Sequence, residues 1–350
     1  MNRVRLVALV VLALSIFPAC TDAKKGSASA PNQPTVAQAS AALAEVPFLK
    51  SLGLDVSRVA IANTFDTKVY QTPEGDKKRV ALSEKQADAL LDDAPFDYED
   101  DFGTPFIVGA KAFGKQVMLV FRLETGDGSQ LMFVTYTQAG KPIDALCTTG
   151  WEYTMQWDGE SPEGQSVSFD SCYADFSENQ FVFHRKVGRN VNGKPAWQQS
   201  RHYHYKVNPN GTIMLAKVDL NPVKGTPSAQ YHDPTQERLQ FQDIFYYPFT
   251  DAKALDQLQK LAQSYSSYPD LSDSAMGAMC SLYHLREHQV LTFVANHPNG
   301  AFTQLLHQCV KQSWIPKEDL YDDIEDYPNI ELRNRLHQLT AQWGPEGAVG

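Results

Sequence analysis

Basic residues are in short supply in this chain: 31 Lys and Arg stand against 41 Asp and Glu, a formal net charge of −10. A surface of that sign argues against nucleic acid and against an anionic lipid surface as partners. Short catalytic signatures are missing as well. There is no G-x-S-x-G elbow, no Walker loop, no G-x-G-x-x-G and no C-x-x-C, which lowers an enzyme reading without eliminating it. Cysteine is scarce, with five in 350 residues. The apolar run from Leu6 to Phe17, interrupted by Ser15, is too short to cross a bilayer, which takes about 20 helical residues.

What is present begins with that same run. It follows a basic start (Arg3, Arg5) and ends in Pro18-Ala19-Cys20, the three-part layout of a secretory signal. Phe17-Pro18-Ala19-Cys20 resembles the lipobox of bacterial lipoproteins, carried by Ala19 and Cys20. The resemblance implies cleavage before Cys20 and acylation of its thiol, and Thr21 rather than Asp after it implies sorting towards the outer membrane. Losing Arg3 and Arg5 with the signal leaves 29 − 41 = −12 on the mature chain.

Export also shapes the reading of the other cysteines. Assigning Cys20 to lipid leaves Cys147, Cys172, Cys280 and Cys309, an even set for an oxidising compartment with three possible connectivities. The sequence-local pairs Cys147–Cys172 and Cys280–Cys309 are favoured, with buried packing thiols as the alternative. A simple helical hairpin turning at Pro298 would offset Cys280 from Cys309 by roughly 12 Å at ~1.5 Å per residue. The second bond therefore requires a break in the first helix, a steep crossing or a different partner.

Thr21 to about Gln38 is mostly Ala, Ser, Thr, Gln, Pro, Lys and Gly, so residues 20–45 are expected to be a lipidated flexible stalk. From 46 to 249, short β-type runs alternate with turn signals, predicting an antiparallel β-domain: a meander, a sandwich or a partly closed barrel. The runs are 116–123, 130–136, 152–157, 181–184, 200–207 and 212–218. One early helix interrupts them, with Ser83 as N-cap, Gln86 completing a capping box, and Ala87, Leu90 and Leu91 on its apolar face. From 250 to 345 the period changes to near 3.6, predicting helices from Asp251, over 274–296, over 301–313, and after Pro328. The expected fold class is α+β, with the β-domain first and a small helical region after it.

Candidate chemistry comes from three places. His284-Leu285-Arg286-Glu287-His288 matches H-x-x-E-H, the zinc pattern of inverzincins, but a helical wheel turns His284 and His288 away from the buried stripe of Met279, Leu282, Tyr283, Val290, Phe293 and Val294. His202 and His204 share one face of a strand, with His184 on the strand before. A four-residue loop at 208–211 would set Lys217 opposite His202, where an ammonium opposes a metal cation. These are the residues a metal-dependent alternative would use; the preferred reading calls for no metal and no cofactor.

Two acidic segments carry aromatics: Asp97, Tyr98, Asp100 and Asp101 in the first, Tyr321, Asp322 and Asp323 in the second. Solvated loops are the ordinary explanation of charge runs; a protein-binding surface is the functional one. The chain is thus expected to be a lipid-tethered binding protein of the bacterial envelope facing the periplasm, non-catalytic, an inhibitor or immunity factor for a basic protein. An envelope hydrolase and a structural subunit of an envelope complex are the alternatives.

Overall fold

The computed structural model describes residues 34–66, 78–94, 105–125, 128–148, 158–161, 164–229, 233–265 and 272–343. Cys20, the segment 97–101 and the run 152–157 lie outside them. Pro34–Gly350 forms one compact unit.

Two antiparallel sheets organise the fold, and neither closes into a barrel. The first is a five-stranded meander of β2 (Val80–Ala81), β3 (Phe106–Phe113), β4 (Gln116–Thr125), β5 (Gly128–Tyr136) and β6 (Pro142–Thr148). The second is seven-stranded, its path running β1 (Thr64–Asp66), β8 (Gly164–Phe176), β9 (Gln180–Val191), β10 (Lys194–Val207) and β11 (Ile213–Leu220). Two short strands, β7 (Asp158–Ser161) and β12 (Lys224–Gly225), pair with β8 and β10. The β9–β10 hairpin turns at Asn192 and Gly193, whose φ angles of 51° and 74° are those a two-residue type I′ turn demands. Asp158 and Gly159 open β7.

The first sheet is buried on both faces. Val117, Leu119, Phe121, Met132, Val134 and Tyr136 face one side, against the helices α1 (Val36–Ala44), α2 (Pro47–Ser51) and α3 (Glu84–Leu91). Met118, Val120 and Phe133 face the other, against Phe181, Phe183, Tyr203 and Tyr205 of the second sheet. Continuous apolar strands fit that position, since a strand covered on both sides has no solvated face to keep polar. β10 instead alternates buried and part-exposed residues along most of its length, as a sheet with one wet face requires.

α3 carries the capping box expected of Ser83 and Gln86, and the Tyr136 hydroxyl donates to Leu90 O at 2.9 Å, tying the end of the helix to the sheet. α1 lies in the segment expected to be stalk; it has its own capping box between Thr35 and Gln38, and it buries Leu43. Ordered structure therefore reaches further towards the N-terminus than the small-residue composition suggested.

The C-terminal helices are α4 (Gln236–Asp243), α5 (Lys253–Tyr265), α6 (Ser272–Asn296), α7 (Ala301–Lys311), α8 (Lys317–Asp326) and α9 (Ile330–Thr340). α5 to α9 share a core that includes Leu258, Met279, Leu291, Phe302, Leu306 and Leu336. α4 and α8 were not expected. The helical region is not separate from the sheets, because Phe249 and Leu285 complete the apolar cluster on the first sheet. α6 loses helical geometry at Arg286 (φ −148°, ψ 37°). The buried Arg286 guanidinium donates to Tyr247 O at 2.6 Å and lies 4.3 Å from the centroid of the Phe249 ring, so the break is tied to the junction between sheets and helices.

Neither expected disulfide is formed. Cys147 packs on the helix-facing side of the first sheet, whereas Cys172 packs in the core between the sheets, so a strand layer separates them. Burial pushes the Cys147 thiol up to about 12, against a pull from Arg286. Cys280 and Cys309 are neighbours in the bundle: burial pushes the Cys309 thiol up to about 12, with Cys280 adding to the rise. Their sulfurs turn to different carbonyls, Trp314 O at 3.3 Å and Met276 O at 3.7 Å.

Candidate functional site

The outer, solvated face of the second sheet carries a row of chemically versatile side chains. Tyr173 and Asp175 on β8, His184 on β9, His202 and His204 on β10 and Asp219 on β11 all point to it, because each is flanked along its strand by residues of the inner face such as Ala174, Phe183 and Tyr203. The pairings Tyr173↔His184, His184↔His202 and His202↔Asp219 align them in a row across four strands.

The register differs from the expected one. Val207 pairs with Ile213, and a bulge between His204 and Tyr205 adds a further shift, so Lys217 sits opposite His204 and Asp219 opposite His202. A two-residue shift keeps the same side chains on the same face and exchanges an ammonium for a carboxylate beside His202. Lys217 Nζ in turn donates to Asp219 Oδ2 at 2.8 Å, and His204 Nε2 contacts the same oxygen at 2.8 Å.

His184 and His202 meet with their Nδ1 atoms 2.7 Å apart. The groups at either end fix the proton positions. Asp175 Oδ2 lies 3.3 Å from His184 Nε2, so that nitrogen carries the proton and neutral His184 presents a lone pair at Nδ1. His202 then donates from Nδ1, and its Nε2 accepts from Asn221 Nδ2 at 3.2 Å. Thr64 Oγ1 closes the chain by donating to Asp175 Oδ1 at 2.8 Å. Burial, and next the neighbouring His202, hold the His184 imidazole below its ordinary value against the pull of Asp175, which favours the neutral form of that ring. Tyr173 stacks on His184 at 4.4 Å and 15°, which fixes the ring plane.

The other candidates are placed differently. His284 and His288 are exposed, as the wheel expected, and the helix is irregular between them at Arg286. Among the described residues, no group of three or more His, Cys, Asp or Glu is placed to hold a metal ion. Tyr321 is half-buried with Lys317 Nζ over its ring, Asp322 is exposed, and Asp323 accepts a hydrogen bond from the Tyr283 hydroxyl. Sequence reading missed Tyr173, Asp175, Asn221 and Thr64. Alternation along Cys172-Tyr173-Ala174-Asp175-Phe176 is the signal that places the first two on the wet face.

A second set of polar groups lies beneath the sheet and is spent on structure. Arg189 holds Asp233 with Nε at 3.1 Å, Arg185 donates to Gln242 at 2.9 Å, and Arg201 pairs with Asp243. These contacts staple α4 and the chain before it to β9 and β10. Comparison with protein-family models, with curated proteins and with solved structures returns no match. Among the described residues, no helix is long and apolar enough to cross a membrane.

Proposed function

We propose that this chain is a lipid-tethered, extracytoplasmic bacterial binding protein that holds a basic protein partner without turning over a substrate, as an inhibitor or immunity factor does. The observation that supports the binding half is the shape of α8. It turns Glu318, Asp319, Asp322, Glu325 and Asp326 to solvent, and it is flanked in sequence by two large exposed apolar side chains, Trp314 at 41% and Ile330 at 69%. Outward carboxylates attract an oppositely charged partner at long range, and apolar groups beside them supply the contact area that holds it. Tyr327, which caps the end of the helix, serves it from within: its buried hydroxyl shares a hydrogen bond with Thr292 Oγ1.

The tether rests on the signal layout and on Cys20. Metabolic labelling with a fatty acid marks the wild type and leaves Cys20→Ala unlabelled, and the variant leaves the membrane fraction. Equal labelling of both proteins removes the tether from the reading. Binding is tested by affinity capture from envelope extracts, in which the wild type retains a basic protein in fixed proportion and a variant with α8 neutralised does not.

A further inference from the structure

We propose that His184 and His202 form a binding site for a divalent transition-metal ion, with tetragonal Cu(II) or Ni(II) as the best fit, coordinated by the two Nδ1 atoms and completed by water. The two nitrogens already converge at 2.7 Å. Metal–nitrogen bonds of about 2.0–2.1 Å set two cis ligands of a square plane roughly 2.9 Å apart, and two ligands of a tetrahedron roughly 3.3 Å apart. The observed gap needs to open by a few tenths of an ångström for the first geometry and by more for the second. Imidazole with tetragonal geometry selects Cu(II) or Ni(II), and Cu(II) leads the affinity order of divalent first-row metals.

The surroundings are those of ligating histidines. Each ring has its far nitrogen engaged, His184 Nε2 by the Asp175 carboxylate and His202 Nε2 by Asn221, and such outer partners fix the orientation and basicity of metal-bound imidazoles. Asp175 is in turn held by Thr64, and Tyr173 holds the His184 ring plane. The cationic obstacle is removed by the register: Lys217 lies opposite His204 and is paired with Asp219. His184 and His202 are both part-exposed, which leaves the pair open to water. On binding, the one proton between the rings moves from His202 Nδ1 to its Nε2 through solvent, and the Asn221 amide turns its oxygen to accept it. Both Nδ1 lone pairs are then free for the metal, with no net change in protonation.

The test is titration of the full chain in detergent, stripped with a chelator, with Cu(II) alone in a non-coordinating buffer, followed by calorimetry and electron paramagnetic resonance. One Cu(II) per chain with two equivalent nitrogen couplings is expected. His184→Ala and His202→Gln each weaken binding by about tenfold or more, while His284→Ala/His288→Ala binds as the wild type does. Thermal unfolding of every variant without metal is recorded alongside, and the comparison uses those that melt cooperatively. A smaller loss in both pair variants, or an equal loss in the exposed helix pair, overturns the site.

Discussion

Replacing Asp144 with alanine lowers the unfolding free energy by about 3 to 5 kcal/mol, because several buried donors lose their acceptor together. Asp144 is fully buried. Its carboxylate accepts from Ala145 N at 2.8 Å, Ile213 N at 2.8 Å, Thr250 N at 3.1 Å and Thr250 Oγ1 at 2.7 Å. It therefore joins β6 of one sheet to the start of β11 in the other and to the chain entering α5. Urea or thermal denaturation measures the loss, a fall in melting temperature on the order of 10 °C.

The same group has a pH signature. Burial pushes the Asp144 carboxyl above its ordinary value of 3.8, against hydrogen bonds from Thr250, Ile213 and Ala145 that pull it down. The native state thus binds this proton more tightly than the unfolded chain. The contribution of this group to stability is greatest below pH 3.8 and falls as pH rises through the raised native value. The stability of wild type minus that of Asp144→Asn narrows across that window and is flat above it. A difference that widens with pH contradicts the assignment.

Asp243→Ala produces a loss of similar size for a different reason. Arg201 has no exposed surface, and its guanidinium is held by Asp243, by Leu239 O at 3.1 Å and by Gln199 Oε1 at 3.1 Å. The Tyr203 hydroxyl donates to the same carboxylate. Removing Asp243 strands a buried cation and costs about 3 to 5 kcal/mol, whereas replacing both charges with apolar residues of similar volume recovers most of the loss. A double-mutant cycle with Arg201→Met and Asp243→Leu measures this coupling. A single-variant loss under about 1 kcal/mol contradicts it.

Much of this architecture is legible in particular residues. The unbroken run Val117-Met118-Leu119-Val120-Phe121 belongs to a strand buried on both faces, and Arg201-His202-Tyr203-His204-Tyr205 alternates as a half-wet strand does. Ser83 with Gln86 marks a helix start that forms as expected. Thr35 with Gln38 is the same signal in a run of small residues, where composition outweighed it. The break at Arg286 is not legible, since neither Pro nor Gly marks it; it depends on carbonyls of Tyr247 and Pro248 about forty residues earlier in the chain. The meeting of His184 with His202 hangs on pairing register, and the partner of His202 on β11 is set by a bulge that no turn residue announces.

The kinetics of the captured complex test whether the tethered chain holds a basic partner on its acidic helix, as proposed. Attraction between opposite charges is screened over about 8 Å at physiological salt, so neutralising Asp319, Asp322, Glu325 and Asp326 to their amides slows association and flattens its dependence on ionic strength. Trp314→Ala mainly speeds dissociation, because apolar contact controls residence more than encounter. Association rates that keep the wild-type salt dependence in the amide variant, together with an unchanged dissociation rate in Trp314→Ala, contradict the claim.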